Sequence, residues 1–525
     1  MSFTNPIIPG FYPDPSCIRV GDTFYLANSS FQFFPGIPIH KSKDLINWEL
    51  IGNAINRPSQ ISLATATTKI NNAARREIFT GGIYAPTLRF HDGVFYIVCT
   101  NLTGTEDMPP DADLQPANFV ITATNLEDPS SFSDLIYFDF YGIDPSLFFD
   151  DRSGKVYVQG SWIYGYDKDQ ATVIRQAEID LTTGKLLTEA RDIWGGATGK
   201  VPEGPHLYKK DRWYYLLIAE GGTFGGHKIT MARSRDIWGP YDSYTRNPVL
   251  TADGSSGPIQ CVGHGDIFED AAGQWWCVML ARREVGRSFP LGRETYMTPV
   301  KWEEGQFPVF DRVRLNQVCS GRDIARKIEA TGFTGVSLAS PSTLYLRSPE
   351  LENYQQVEKE ITLTPTEAEL GAPAGTLTFV GQRQTSLDSV ARVLLPLSGN
   401  GSPLEGSCGL TVYKDTFRYV ALEYSARNST LSLKIQEPLK PLTTLRSVAV
   451  RGAASILLSI TSTAEAYTFE CVKSATAGGR EGEALGQVAC SALSGDDFTG
   501  TVYAIYACGR STPVTFRDFE IKNES

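Results

Sequence analysis

No apolar run in this chain is long enough to span a bilayer. The opening Met1-Ser2-Phe3-Thr4-Asn5-Pro6 has neither the basic segment nor the apolar segment of a secretory leader. No Cys-x-x-Cys pair occurs among nine cysteines, an odd number. That disfavours a disulfide framework or a zinc site and suits reduced, buried thiols. Asn-x-Ser/Thr triplets at Asn28, Asn101 and Asn428 are too common by chance to argue otherwise. A basic surplus is also missing: 48 Lys and Arg face 59 Asp and Glu, a net charge of −11. Nucleic acid and anionic membrane are therefore poor partners, because both need a basic face. These absences lead to the expectation of a cytoplasmic protein acting on a neutral small molecule, with a secreted form that has lost its leader as the alternative and oligomeric state left open.

What the chain does contain is turns and aromatics. With 48 glycines, 30 prolines and 11% aromatic residues, it has the texture of many short strands joined by tight turns. Five stretches repeat one pattern of turn, apolar run, Gly/Asp break and aromatic strand. They open at Asp14-Pro15-Ser16, Ala85-Pro86-Thr87, Asp144-Pro145-Ser146, Glu203-Gly204-Pro205 and His264-Gly265-Asp266. A repeat of about 60–70 residues with strand-turn-strand signals is the mark of a β-propeller blade. The expected fold is all-β: a five-bladed propeller over 1–320, followed by a β-sandwich over 333–525. In the second part the aromatic hairpins give way to strands at Leu344–Arg347, Tyr354–Ile361, Thr376–Val380, Gly409–Tyr413, Tyr419–Tyr424 and Ser455–Ile460. Polar stretches at 63–79 and 107–116 read as surface loops, and 322–331 as a linker or helical turn.

In a propeller the inner strands line a central channel, so equivalent positions converge on the axis. Those positions are expected to hold Asp14, Ala85, Asp144, Glu203 and His264. One Asp-Pro alone is equally well an Asx turn at a strand start, but the repetition at Asp144 weakens that reading. Glu203, between Pro202 and Gly204, could also be an exposed turn residue. Crowded buried carboxylates cannot all ionise, so one is pushed up and becomes an acid at neutral pH. Glycoside hydrolysis needs that: one carboxylic acid protonates the leaving oxygen and a carboxylate activates water or attacks the anomeric carbon.

At these residues the chain resembles glycoside hydrolase family 43. The matching motifs are Gly10-Phe11-Tyr12-Pro13-Asp14-Pro15-Ser16, Gly81-Gly82-Ile83-Tyr84-Ala85-Pro86, Ile143-Asp144-Pro145-Ser146, Pro202-Glu203-Gly204-Pro205-His206, Ala219-Glu220-Gly221-Gly222-Thr223, Gly263-His264-Gly265 and Pro290-Leu291-Gly292-Arg293-Glu294-Thr295. The second part resembles the accessory sandwich of the β-xylosidase and α-L-arabinofuranosidase branch. The resemblance implies an inverting hydrolase with Asp14 as general base, Glu203 as general acid and Asp144 as the residue that tunes it. It implies Phe31, Tyr84, Trp162, Thr223, Phe224, His264 and Arg293 around the sugar, with Phe498 closing the pocket from the sandwich. Tyr84 stands where the family often has tryptophan. A packing role for the aromatics, and a structural ion pair of Arg293 with Glu294 or Glu220, are the alternatives. No cofactor is implied as a requirement, although in many members a calcium ion lies near the residue matching His264. The implied substrates are xylo- or arabinoxylo-oligosaccharides, attacked from a chain end. β-Xylosidase comes first, with α-L-arabinofuranosidase as a companion or alternative activity and a noncatalytic carbohydrate-binding propeller as the remaining reading.

Overall fold

A computed structural model describes residues 2–70, 78–104, 114–165, 168–318, 332–397, 406–475, 480–510 and 512–524. The expected linker at 322–331 lies outside the described residues, as does most of the loop expected at 107–116. The loop read at 63–79 contains a short antiparallel pair, Thr68–Ile70 with Ile78–Thr80; 71–77 lie outside the described residues.

Five antiparallel sheets make the first part, each of four strands apart from one small addition in the fourth. Their inner strands are Ser16–Val20, Gly82–His91, Gly142–Asp150, Glu203–Lys210 and Ile259–Glu269. Each inner strand turns back through a tight hairpin. In the second blade Asp92 and Gly93 both take left-handed φ, 47° and 81°, the backbone of a type I′ turn, which matches strand twist. The ring is closed by Ser2–Thr4 pairing with Asn316–Val318 and by Ile8 bridging Thr295. Asn5 ties the same seam, since its side-chain amide donates to the carbonyls of Met297 and Arg314.

The inner strands share one irregularity, and it sets the site. Where each strand reaches the axis, one residue turns left-handed: Asp14 (φ 51°), Ala85 (41°), Asp144 (55°), Gly204 (54°) and His264 (45°). Pairing skips a step there, between Ile143 and Ser146, between Glu203 and His206, and between Gly263 and Gly265. Bulges of this kind re-aim a side chain, and strained φ at non-glycine residues clusters at functional sites. The ring expected from the sequence is therefore corrected by one position. Its fourth member is Gly204, and Glu203 sits one residue earlier, at the level of Tyr84 and Ile143. The motif hid this because Glu203-Gly204-Pro205 carries its acid before the left-handed residue, whereas Asp14-Pro15 and Asp144-Pro145 carry it there. A side chain at Gly204 would press on the His264 ring, 3.1 Å from an added Cβ.

The second part is a sandwich of two eight-stranded sheets. The stretch read as one strand from Tyr354 to Ile361 is two, Tyr354–Val357 and Glu360–Leu363, because Glu358 turns left-handed (φ 52°) and folds the chain into a hairpin. The other expected strands lie at or near their observed places. One sheet ends in a strand borrowed from the propeller: Phe33–Phe34 pairs with Leu344–Leu346. The apolar core follows this pairing, so that Phe11, Phe31, Phe33 and Tyr84 share one cluster with Leu344, Phe379 and Tyr506.

In return the sandwich sends residues 494–501 into the propeller. Gly500 passes so close that an added Cβ would meet the Leu291 carbonyl at 2.4 Å, and Thr501 Oγ1 donates to the Pro290 carbonyl at 3.1 Å. This segment is anchored by a buried ion cluster. Asp497 pairs with Lys414 Nζ at 3.0 Å and with Arg418, which also grips Asp415. Removing one member of a buried pair strands the other charges. Asp497→Asn is expected to lower unfolding free energy by about 3–5 kcal/mol in denaturant titration; a loss under about 1 kcal/mol would mean the cations find other partners.

Candidate active site

Asp14, Asp144 and Glu203 converge: His264 Nδ1 lies within 4.0 Å of both aspartates, and Glu203 feels the charge of each. Asp14 is 4% exposed and is held from three sides. Ser29 Oγ donates to its Oδ2 at 2.5 Å, Arg293 Nη1 approaches Oδ1 at 3.4 Å, and His264 Nδ1 lies 3.8 Å from the same oxygen. Ser29 is itself fixed by accepting from the Ala85 N–H at 2.7 Å. Asp144 accepts from the Gly204 N–H at 3.1 Å and lies 4.0 Å from His264 Nδ1. The left-handed turn at Gly204 is what aims that N–H at the carboxylate.

Burial lifts the Asp144 carboxyl above its ordinary range, with the Asp14 charge adding to it and His264 opposing. Glu203 is lifted much further. Burial is the main cause, the negative charges of Asp144 and Asp14 come next, and Arg293 opposes them. Glu203 thus keeps its proton at pH values where an ordinary glutamate has lost it.

Around the carboxylates stands an aromatic wall shared by both domains. Phe498 lies parallel to Phe224 at 6.0 Å and to Phe31 at 6.2 Å, and edge-on to Tyr84 at 6.2 Å. Arg293 ties the wall to the acids: Nε donates to the Phe498 carbonyl and Nη1 to Thr223 Oγ1, both at 3.0 Å. The alternative ion pair is not formed with either acid. Glu294 is taken by Arg283, and Glu220 accepts backbone N–H groups from Ala197, Thr198 and Gly199. Phe31 is fully buried, packed on Phe11 and Tyr84, with the Arg293 guanidinium 5.4 Å from its ring. Trp162 is not joined to this cluster. It packs on Phe140 and Tyr141, with the Arg175 guanidinium 4.3 Å above its ring.

Two residues past His264, Asp266 is buried and fully partnered. Asp266 pairs with Arg89 at 2.9 Å and accepts from Ser16 Oγ at 2.7 Å and Tyr208 OH at 2.5 Å. These partners overcome burial and hold Asp266 down to about 2, while burial holds neighbouring His206 down to about 3. No group of three His, Cys, Asp or Glu among the described residues is disposed to hold a metal ion. Asp266 is already paired with Arg89. The sequence motifs pass over Ser29 and His227. Ser29 belongs to Asn28-Ser29-Ser30, three consecutive polar residues with no exposed surface, and such burial has no signal in sequence. His227 closes the Gly221–Gly226 loop and lies 3.8 Å from Glu203.

A five-bladed propeller with three converging carboxylates, one of them raised well above its ordinary range, defines a glycosidase working by acid–base chemistry. The comparisons agree in detail. The family model described as glycosyl hydrolases family 43 matches residues 3–308, and one described as the β-xylosidase C-terminal concanavalin A-like domain matches 339–522. A non-reducing end α-L-arabinofuranosidase of Bacteroides ovatus is 32% identical over 99% of this chain and 95% of its own length. A xylosidase/arabinosidase of Humicola insolens is 34% identical over 81% of this chain and 77% of its own. The crystal structure of a xylan β-1,4-xylosidase from Bacillus halodurans superposes with a TM-score of 0.86 at 28% identity, covering 99% of this chain and 100% of that one. The chain belongs to glycoside hydrolase family 43.

Proposed function

We propose that this glycosidase is an exo-acting, inverting β-D-xylosidase that releases xylose from the ends of xylo-oligosaccharides. The observation that carries this reading is Phe498, which the sandwich places against Phe224, Phe31 and Tyr84. A wall built from both domains closes one side of the pocket and suits a single terminal sugar. Under this reading Glu203 is the general acid that protonates the glycosidic oxygen, because burial and two flanking carboxylates keep its proton on. Asp14, held by Arg293 and Ser29, is the base that takes a proton from the attacking water. Asp144 supplies the negative charge that helps keep Glu203 protonated and is itself oriented by the Gly204 N–H. Thr223, Phe224, His264 and Arg293 surround the sugar, with Tyr84 at the edge of the wall.

Release of α-L-arabinofuranose from side chains is the second reading. It is favoured by the full-length likeness to the Bacteroides ovatus arabinofuranosidase. A binding-only propeller is disfavoured by the presence of all three carboxylates. A proton NMR time course on xylobiose decides among them. Early accumulation of α-xylose, before mutarotation, is expected. Early β-xylose would overturn inversion. No reaction on xylobiose, with arabinose released from an arabinosylated xylo-oligosaccharide, would make the second reading the first.

A further inference from the structure

Resting on the reading of Glu203 as the acid, we infer that His227 is a positioning residue for it: a neutral imidazole whose bare Nε2 accepts a hydrogen bond from the protonated carboxyl in the resting enzyme and keeps Glu203 in its acid form until the carboxyl turns to the substrate. Three observations build this. His227 is 1% exposed, and its Nδ1 lies 3.1 Å from the Cys261 carbonyl. A carbonyl only accepts, so Nδ1 carries the ring proton and Nε2 is left as an acceptor. That Nε2 is buried with no hydrogen-bond partner among the described residues, and it stands 3.8 Å from Glu203 Oε1. A buried acceptor left empty is costly, and the nearby group able to fill it is the protonated Glu203 carboxyl after a small rotation.

The chain also makes room for this ring. Gly263, next to His264, approaches it so closely that an added Cβ would lie 2.4 Å from His227 Cε1 and Nε2. Cys261, whose carbonyl orients the ring, is left-handed with φ 57°. A bulged strand of the fifth blade is thus shaped around a histidine of the fourth.

The charges facing the pair are known from every side. Asp14 and Asp144 come from the first and third blades, His264 and Arg293 from the fifth, and the two carboxylates raise Glu203. Burial keeps His227 itself neutral, lowering it to about 3, so it does not compete for the proton. An acceptor to the neutral carboxyl disfavours ionisation. After Glu203 gives its proton to the leaving oxygen, its new carboxylate faces a lone pair, which favours taking a proton back from solvent before the next turnover. A merely packed histidine would give the carboxyl no such bias.

The test compares wild type, His227→Phe and Glu203→Gln on xylobiose and on an aryl xyloside with a good leaving group. His227→Phe keeps the volume and loses the acceptor. The basic limb of its kcat profile is expected to move down by about one pH unit, with kcat on xylobiose at neutral pH falling about tenfold, KM held and the aryl xyloside little affected. A limb that stays or rises overturns the inference. Should the variant not fold, 15N NMR of the wild-type imidazoles reads the same contact: Nε2 of His227 should shift as pH crosses the basic limb, and an invariant signal overturns the inference. Glu203→Gln keeps the two claims apart. If it retains xylobiose turnover, the acid assignment has failed whatever His227 does.

Discussion

Glu203→Gln is expected to slow hydrolysis of xylobiose by about 10²–10⁴-fold, the usual worth of a general acid, and to leave aryl xylosides with good leaving groups far less affected. The reason is chemical. A xylose leaving group needs a proton at the glycosidic oxygen as the bond breaks, whereas a nitrophenolate does not. The sign of the pH dependence follows from the raised pKa. Wild type should lose activity as pH climbs through the Glu203 value, because the ionised form has no proton to give. The variant should lose that basic limb entirely. Stability should fall in the same direction of pH. Glu203 binds its proton more tightly folded than unfolded, so its stabilising contribution is complete below the ordinary glutamate range and is lost as pH rises through the raised value. The uncharged glutamine avoids this loss, and the variant should melt higher than wild type on the alkaline side. Full activity on xylobiose in a folded variant would remove Glu203 from the acid role.

Asp14→Asn should be inactive on every substrate, aryl xylosides included, with kcat down by about 10²–10⁴-fold. Water must be activated whatever the leaving group is, so the loss should not depend on it. Asparagine is the suitable replacement because position 14 is left-handed at φ 51°, a conformation Asn tolerates better than Ala. It also preserves an oxygen for Ser29. Asp14→Gly accepts the same backbone and opens space beside Arg293. In that variant azide should restore turnover of an aryl β-xyloside and give the α-glycosyl azide, attack coming from the face that water uses. A β-azide, or a loss confined to poor leaving groups, would show that Asp14 is not the base.

The repeats were legible because a propeller writes its period into the chain as aromatic hairpins, and the acids were legible because they sit beside prolines and glycines that mark the bulges. What stayed hidden was geometry between elements. Nothing local distinguishes Glu203 from the left-handed position that Gly204 holds, since the offset appears only when the strand is paired with Trp213–Glu220. Phe33–Phe34 is too short to read as a strand, and its partner lies more than three hundred residues away. Phe498 has no local mark of function. Its assignment came from family likeness, and the ion cluster at Asp497 that fixes it joins residues separated by about eighty positions. His227 reads as the end of a flexible glycine loop until Gly263 is seen to yield to it.

The strand lent to the sandwich has a consequence for how this protein is made. Phe33–Phe34 leaves the ribosome early, yet the edge it joins, Leu344–Leu346, emerges long after the five blades. Until then two buried phenylalanines sit on an unpaired backbone, and such edges recruit other chains. The four strands of the first blade pair without Phe33–Phe34, so the blade carries this unpaired strand through synthesis of the whole propeller. Phe498 emerges later still. The sandwich is in this sense a late-arriving chaperone built into the same polypeptide, and cutting the gene after the last blade should give a product that aggregates rather than a smaller enzyme.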